Sequence, residues 1–123
     1  MSVSTRPIAE GAAFSILEIV KGSRSYVEDF FHELPIDTRI GLIRLIEYIA
    51  DQGTPRDKRK FRHEEDGIYA IKQGQARIYC FFDAGLVILL SHGTIKKKEK
   101  ADPEDLKRAK RLRKAYLTAK RLH

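Results

Sequence analysis

The chain has 123 residues, 42% of them hydrophobic, a single cysteine and a formal net charge of +7. That length suits one domain with a modest core. Lone Cys80 excludes an internal disulfide, the four histidines at scattered spacings do not make a structural zinc site, and no apolar run approaches the ~18 residues of a membrane span. The opening MSVSTRPIAEGAA lacks the apolar centre of a secretory signal, so a reducing cytoplasm is the expected location.

Residues 1–12 are polar and mixed, with Arg6-Pro7 and Gly11, and read as a flexible lead-in to a single domain over 13–123. Phe14 to Lys21, FSILEIVK, is apolar and β-branched and predicts a strand, ended by Gly22-Ser23. Ser23 or Ser25 caps a helix from Tyr26 to Leu34, whose apolar members recur at helical spacing. Pro35 interrupts it. A second helix follows over about Asp37 to Asp51, with Ile36, Ile40, Ile43, Ile46 or Tyr48, and Ile49 expected to face inward. Gly53 closes this helix, and Thr54-Pro55 opens a loop carrying Arg56, Lys58, Arg59, Lys60, Arg62 and His63.

Three strands follow, at Ile68–Gln73, Ala76–Phe82 and Leu86–His92. Asp102-Pro103-Glu104-Asp105 then reads as a helix start, with Pro at the first helical position and an acidic first turn. That helix runs to about Arg121 behind a narrow apolar stripe of Leu106, Ala109, Leu112 and Tyr116. The order is β-α-α-β-β-β-α: an α+β domain with a small, antiparallel-rich twisted sheet backed by a helical pair, and a basic C-terminal helix.

The charge is unevenly placed. Residues 1–95 hold 12 Lys+Arg against 13 Asp+Glu, whereas 96–123 hold 12 against 4. Such asymmetry suits a polyanionic or acidic partner; the bland alternative is a solvated helix face.

Turn chemistry decides where the cations of the sheet meet. Gly74-Gln75 suits a two-residue type II′ hairpin, which sets Lys72 directly opposite Arg77. Like charges so opposed destabilise a sheet unless an anion lies between them. With Ala84-Gly85 as the next loop, His92 falls opposite Arg77 on its other side; a three-residue loop puts Ser91 there and turns His92 to the far face. The first register gathers Lys72, Arg77 and His92 and leads into Lys96, Lys97, Lys98 and Lys100.

Such a cluster suits RNA cleavage without a metal. The ribose 2′-OH attacks the adjacent phosphate, cations stabilise the phosphorane, and a histidine serves as acid or base. Arg77 and Lys72 are the candidate phosphate ligands. His92 is the preferred acid/base, and His63 is second. Lys60, Arg62, Lys96, Lys97, Lys98 and Lys100 are candidate RNA-backbone contacts. The alternatives are an Arg77 paired with a carboxylate, a His92 held in the core, and a lysine run that is only solvated.

Gly67-Ile68-Tyr69, Arg77-Ile78-Tyr79, Leu89-Leu90-Ser91-His92-Gly93 and Lys96-Lys97, in that order and spacing, resemble the C-terminal half of the RelE/ParE toxin superfamily, nearest its phage-derived, HigB-like branch. The upstream strand and helical pair extend the resemblance over nearly all of the chain beyond residue 13. It implies the toxin of a type II toxin–antitoxin pair: a ribosome-dependent mRNA endonuclease that uses no metal or other cofactor and is covered by an antitoxin, expected to be a helix-turn-helix protein. By position, Arg77 matches the family's middle-strand arginine, and Lys72 stands where many relatives carry arginine. Thr94 stands where an aromatic residue is usual. The ParE branch implies instead inhibition of DNA gyrase by protein contact, and some phage-type members imply an inactive RNA- or protein-binding domain.

Overall fold

In the computed structural model, which describes residues 3–98 and 100–122, the chain runs through β1 (Val3–Glu10), β2 (Ser15–Lys21), β3 (Arg24–Ser25), α1 (Tyr26–Glu33), α2 (Ile36–Gln52), β4 (Phe61–Glu65), β5 (Ile68–Gln73), β6 (Ala76–Asp83), β7 (Val87–Ile95) and α3 (Pro103–Arg121). The strands make one sheet in the order β1-β2-β7-β6-β5-β4, with β3 paired to β2. Among the described residues, only the β2–β7 pairing is parallel. The expected α+β architecture is present, with helices on both faces of the sheet.

Alternation along the central strands builds two cores. Ile16, Ile71, Ile78, Cys80, Ile88 and Leu90 pack against α1 and α2 through Val27, Phe30, Leu42, Ile46, Ile49 and Ala50. Ile19, Ile68, Ala70, Tyr79, Phe81 and Leu89 face the other way, against Leu106, Ala109 and Leu112 of α3. This second face carries the cations, so the basic helix and the basic strand residues share one side.

The helix ends follow local chemistry. Ser25 caps α1, its hydroxyl accepting from the Glu28 amide at 3.1 Å while donating to the buried Glu18 carboxylate. Arg6 from β1 bonds the same carboxylate, tying the sheet edge to the helix start. Asp102 caps α3, accepting from the Glu104 amide at 2.9 Å.

Three expectations need correction. Residues 3–10 are not a loose lead-in: they form β1, an edge strand antiparallel to β2, with an irregularity between Pro7 and Ala9. Its mixed polar sequence and its proline suit an edge, where one side has no ladder to complete. The basic loop also ends earlier than expected, because Phe61–Glu65 pairs with β5 and brings Arg62 and His63 into the sheet. Finally, α2 buries Leu42, Ile46, Ile49 and Ala50, whereas Ile36, Ile40 and Ile43 remain 62%, 41% and 39% exposed. The apolar arc of α2 is wider than the sheet can cover, and the sheet takes the neighbouring stripe. Tyr48 is exposed as well.

β7 lies so close to α1 that a Cβ on Gly93 would fall 2.1 Å from the Phe30 ring. Gly93→Ala is expected to cost about 1–3 kcal/mol of stability through overpacking. A urea titration checks this, and an unchanged midpoint would show that Phe30 yields freely.

Candidate nucleic-acid interface

The first hairpin has the expected register. Gly74 takes φ 59° at the tip, Gln73 pairs with Ala76, and Lys72 sits directly opposite Arg77. Both side chains are largely buried, at 5% and 7% exposure. Arg77 does not pair with a carboxylate among the described residues. Its Nη1 donates to the Gly74 carbonyl at 2.6 Å and the Ala76 carbonyl at 3.1 Å. Those two bonds take both Nη1 hydrogens and orient the guanidinium, while Nε and Nη2 make no hydrogen bond among the described residues. Lys72 Nζ donates to the Lys58 carbonyl at 3.1 Å.

β4 carries the cation cluster one strand further. The Lys72 amide donates to the Lys60 carbonyl at 2.8 Å, and Lys60 Nζ donates to Gln73 Oε1 at 3.2 Å. Lys60, Lys72 and Arg77 line an open cleft of about 380 Å³ with Asp57, Arg59 and Gly74. Asp57 is engaged by Arg59 through paired bonds of 3.1 and 2.9 Å, and the Arg59 guanidinium holds its carboxyl below the usual range. The cleft thus brings together three cationic side chains, with Arg77 oriented by main-chain carbonyls and Lys60 by an amide oxygen. A preorganised cation cluster of this kind binds phosphate, and Arg77 offers the planar fork.

His92 reaches Arg77's side of the sheet by a different route from the one expected. Asp83 pairs with Val87, so the loop is Ala84-Gly85-Leu86, three residues rather than two. In that register alone His92 would face α1. An irregularity between the Cys80–Leu90 and Tyr79–His92 pairs inserts Ser91, and the strand continues one residue out of step. Thr94 then stands opposite Arg77, and His92 stands opposite Tyr79, with ring centroids 5.3 Å apart.

His92 is on the expected face, but α3 covers it. It is 1% exposed, with Nδ1 2.9 Å from Ser91 Oγ and Nε2 3.2 Å from Asp105 Oδ1. Burial lowers its pKa, an effect that Asp105 partly opposes and that Arg108 and Arg111 reinforce. Lys96 closes the same cluster, 3.4 Å from Asp105 and 3.7 Å from Asp102, while its amide donates to the Gln75 carbonyl. His92 and Lys96 thus fasten the first turn of α3 to the sheet.

The other candidates separate. His63 pairs across from Tyr69 on the opposite face from Arg77, exposed, accepting from the Gly67 amide at 3.3 Å and meeting the Tyr69 ring edge-to-face at 4.9 Å. Arg62 shares the face of Lys72 and lies 3.6 Å from Glu64, in a second depression that includes Lys100, Lys107 and Lys110. Lys97, Lys98 and Lys100 are exposed around an open hollow of about 560 Å³ beside Ile95 and Pro103. Among the described residues, no three metal-ligating side chains gather, and no helix is long and apolar enough to cross a membrane. Sequence reasoning missed Arg59 as part of the cleft wall, and Ser91 and Asp105 as partners of His92. Asp105 reads locally as an acidic first-turn residue, and nothing local shows that it closes onto a strand.

A family model described as phage derived protein Gp49-like matches residues 29–114, from α1 to most of α3 and including every cation of the cleft. No curated protein matches the chain.

The burial of His92 has a pH signature. An imidazole with lowered proton affinity in the fold takes its proton more readily in the unfolded chain. Stability is then complete above the ordinary value of 6.5 and falls as pH drops below it. Urea midpoints measured from pH 7.5 to 5 should decline more steeply for the native chain than for His92→Gln. Parallel curves would remove this role from His92.

Proposed function

The chain belongs to the Gp49-like family of phage-derived proteins, within the RelE/HigB-like toxin superfamily, and from that premise we propose that it is the toxin of a type II toxin–antitoxin pair, of the HigB-like branch, that cleaves mRNA on the ribosome without a metal. The observation that carries this reading is the Lys72–Arg77 pair: two cations side by side on adjacent strands, fixed by carbonyls and open to a cleft. The planar fork of Arg77 beside a second cation is suited to a phosphate that gains charge.

In the proposed reaction the ribose 2′-oxygen bonds to phosphorus and the P–O5′ bond breaks. The products are a 2′,3′-cyclic phosphate and a 5′-hydroxyl. Arg77 stabilises the phosphorane oxygens through Nε and Nη2. Lys72 adds charge and gives a proton to O5′ in this reading, while water takes the 2′-OH proton. Lys60 holds a neighbouring phosphate. Lysine at position 72 lacks the bidentate fork of arginine, so the bidentate contact falls to Arg77 alone.

The burial of His92 moves the acid/base assignment off that residue. We assign it to holding α3 against β7, which sets the wall beside Thr94 and Arg77. His63, on the far face, is left out of the cleft. Lys97, Lys98 and Lys100 are assigned to RNA backbone, with an antitoxin, expected to be a helix-turn-helix protein, covering the same basic face in a cytoplasmic complex.

A second reading draws on the same sealed histidine. With no imidazole lining the cleft among the described residues, the domain would act by binding, either as a ParE-like gyrase inhibitor or as an inactive RNA- or protein-binding member. Expression in cells separates the readings. Arg77→Ala should lose growth arrest and mRNA cleavage by a factor of about 100 or more, with Arg77→Lys intermediate, as primer extension would show. Retained cleavage in Arg77→Ala would sink the endonuclease reading, and inhibition of gyrase supercoiling would favour the second.

A further inference from the structure

The 19 residues of α3 include eight Lys or Arg, and the fold divides them into two groups. Lys110 bonds Glu65 and Asp66, Arg113 donates to the Asp66 carbonyl, Lys120 pairs with Asp83, and Arg108 lies 5.5 Å over the Tyr26 ring. These hold the helix to the sheet and to the start of α1. Lys107, Arg111, Lys114 and Arg121 point away and are exposed. With Thr118 they fall within an arc of about 80°, opposite the stripe of Leu106, Ala109 and Leu112. Arg111, Lys114 and Arg121 make no hydrogen bond or ion pair among the described residues, and Lys107 meets only exposed Glu104, at 3.4 Å. Like charges three and four positions apart, as at Lys107, Arg111 and Lys114, oppose helix formation.

We propose that this outward strip of α3 docks the phosphate backbone of duplex RNA, at a place separate from the cleft; the proposal rests on the RNA-directed reading above. A protein partner would need an apolar patch with little charge at its centre. Here the centre is all cation or threonine, and the exposed large apolar side chains nearby, Leu117 and Leu122, lie at its side and its C-terminal end. A single strand would be held by stacking on aromatic rings. The one aromatic residue of the helix, Tyr116, turns inward to donate to Asp83 at 2.5 Å. What remains is a row of point charges about 21 Å long from Lys107 to Arg121, enough to meet phosphates of both strands across a groove. Duplex RNA is read through backbone and shape, which such a row suits. The strip would seat the protein on structured RNA while the cleft engages a single strand.

The test is fluorescence anisotropy of the full chain with a labelled 20-base-pair RNA duplex across a salt series. The variant is Arg111→Ala/Lys114→Ala/Arg121→Ala, chosen because alanine favours the helix, with circular dichroism and thermal melting to verify the fold. Loss of three phosphate contacts should weaken binding about tenfold or more near 0.1 M salt and flatten the log–log salt slope by about 2–3. Arg44→Ala, an exposed cation of α2 on the other side of the sheet, should leave duplex affinity within about twofold. Wild-type affinity and slope in the folded triple variant overturn the strip. So does a variant that keeps the duplex but loses poly-glutamate, which would mark a protein-directed surface. Tighter binding to a B-form DNA duplex of the same sequence overturns the choice of RNA. Failure of the cleft reading is separate: cleavage would persist in Arg77→Ala while the strip variant still loses the duplex.

Discussion

β7 pairs with β6 in one register up to Leu90 and in another from His92 onward, and the extra residue between them is Ser91. A strand's side chains alternate with a period of two, so one inserted residue exchanges the faces of everything beyond it. Leu89 and Leu90 therefore serve the two cores in the ordinary alternation, and His92 then lands beside Tyr79 instead of under α1. Gly93 falls on the α1 side, where a side chain would strike Phe30. Thr94 becomes the neighbour of Arg77. The helix above the sheet, the wall of the cleft and the close approach of α1 all follow from this irregularity.

His92 is the point where α3 is anchored. Its ring lies between a strand hydroxyl and the Asp105 carboxylate, and Lys96 shares that carboxylate. A buried imidazole is stable here because both nitrogens have partners; either one left unpaired would carry the full penalty of desolvation. With the first turn of α3 held down, its stripe of Leu106, Ala109 and Leu112 covers part of the sheet and leaves uncovered the cleft that Lys60, Lys72 and Arg77 line. The same contact thus makes a closed core and bounds an open, positively charged cleft.

The cations of this protein serve two purposes that composition cannot separate. Those on the flanks of α3 and at Arg59 meet carboxylates or carbonyls and hold the fold together. Those at Arg77 and along the outer face of α3 keep donors turned outward. Concentrating like charge on one side of a domain is unfavourable in isolation and favourable beside a polyanion.

The order of the elements, the helix ends at Ser25, Gly53 and Asp102, the Gly74-Gln75 turn and the facing of Lys72 and Arg77 were legible in the sequence, because each rests on residues a few positions apart. The membership of Leu106, Ala109 and Leu112 in a core was legible for the same reason. The edge strands β1 and β4 were not, since an edge needs no strong alternation and tolerates proline and charge. Nor was the stripe of α2 that is buried, which depends on how much of a wide apolar arc the sheet can reach. The face of His92 and its burial belonged to tertiary structure alone. Local turn preferences allow several registers, and only the packing of two cores on one sheet selects the one that inserts Ser91 and brings Asp105, 13 residues further along, over the ring. The sequence by itself determined that cations would gather on this sheet; the three-dimensional packing decided which of them stay open to a ligand and which histidine is sealed beneath a helix.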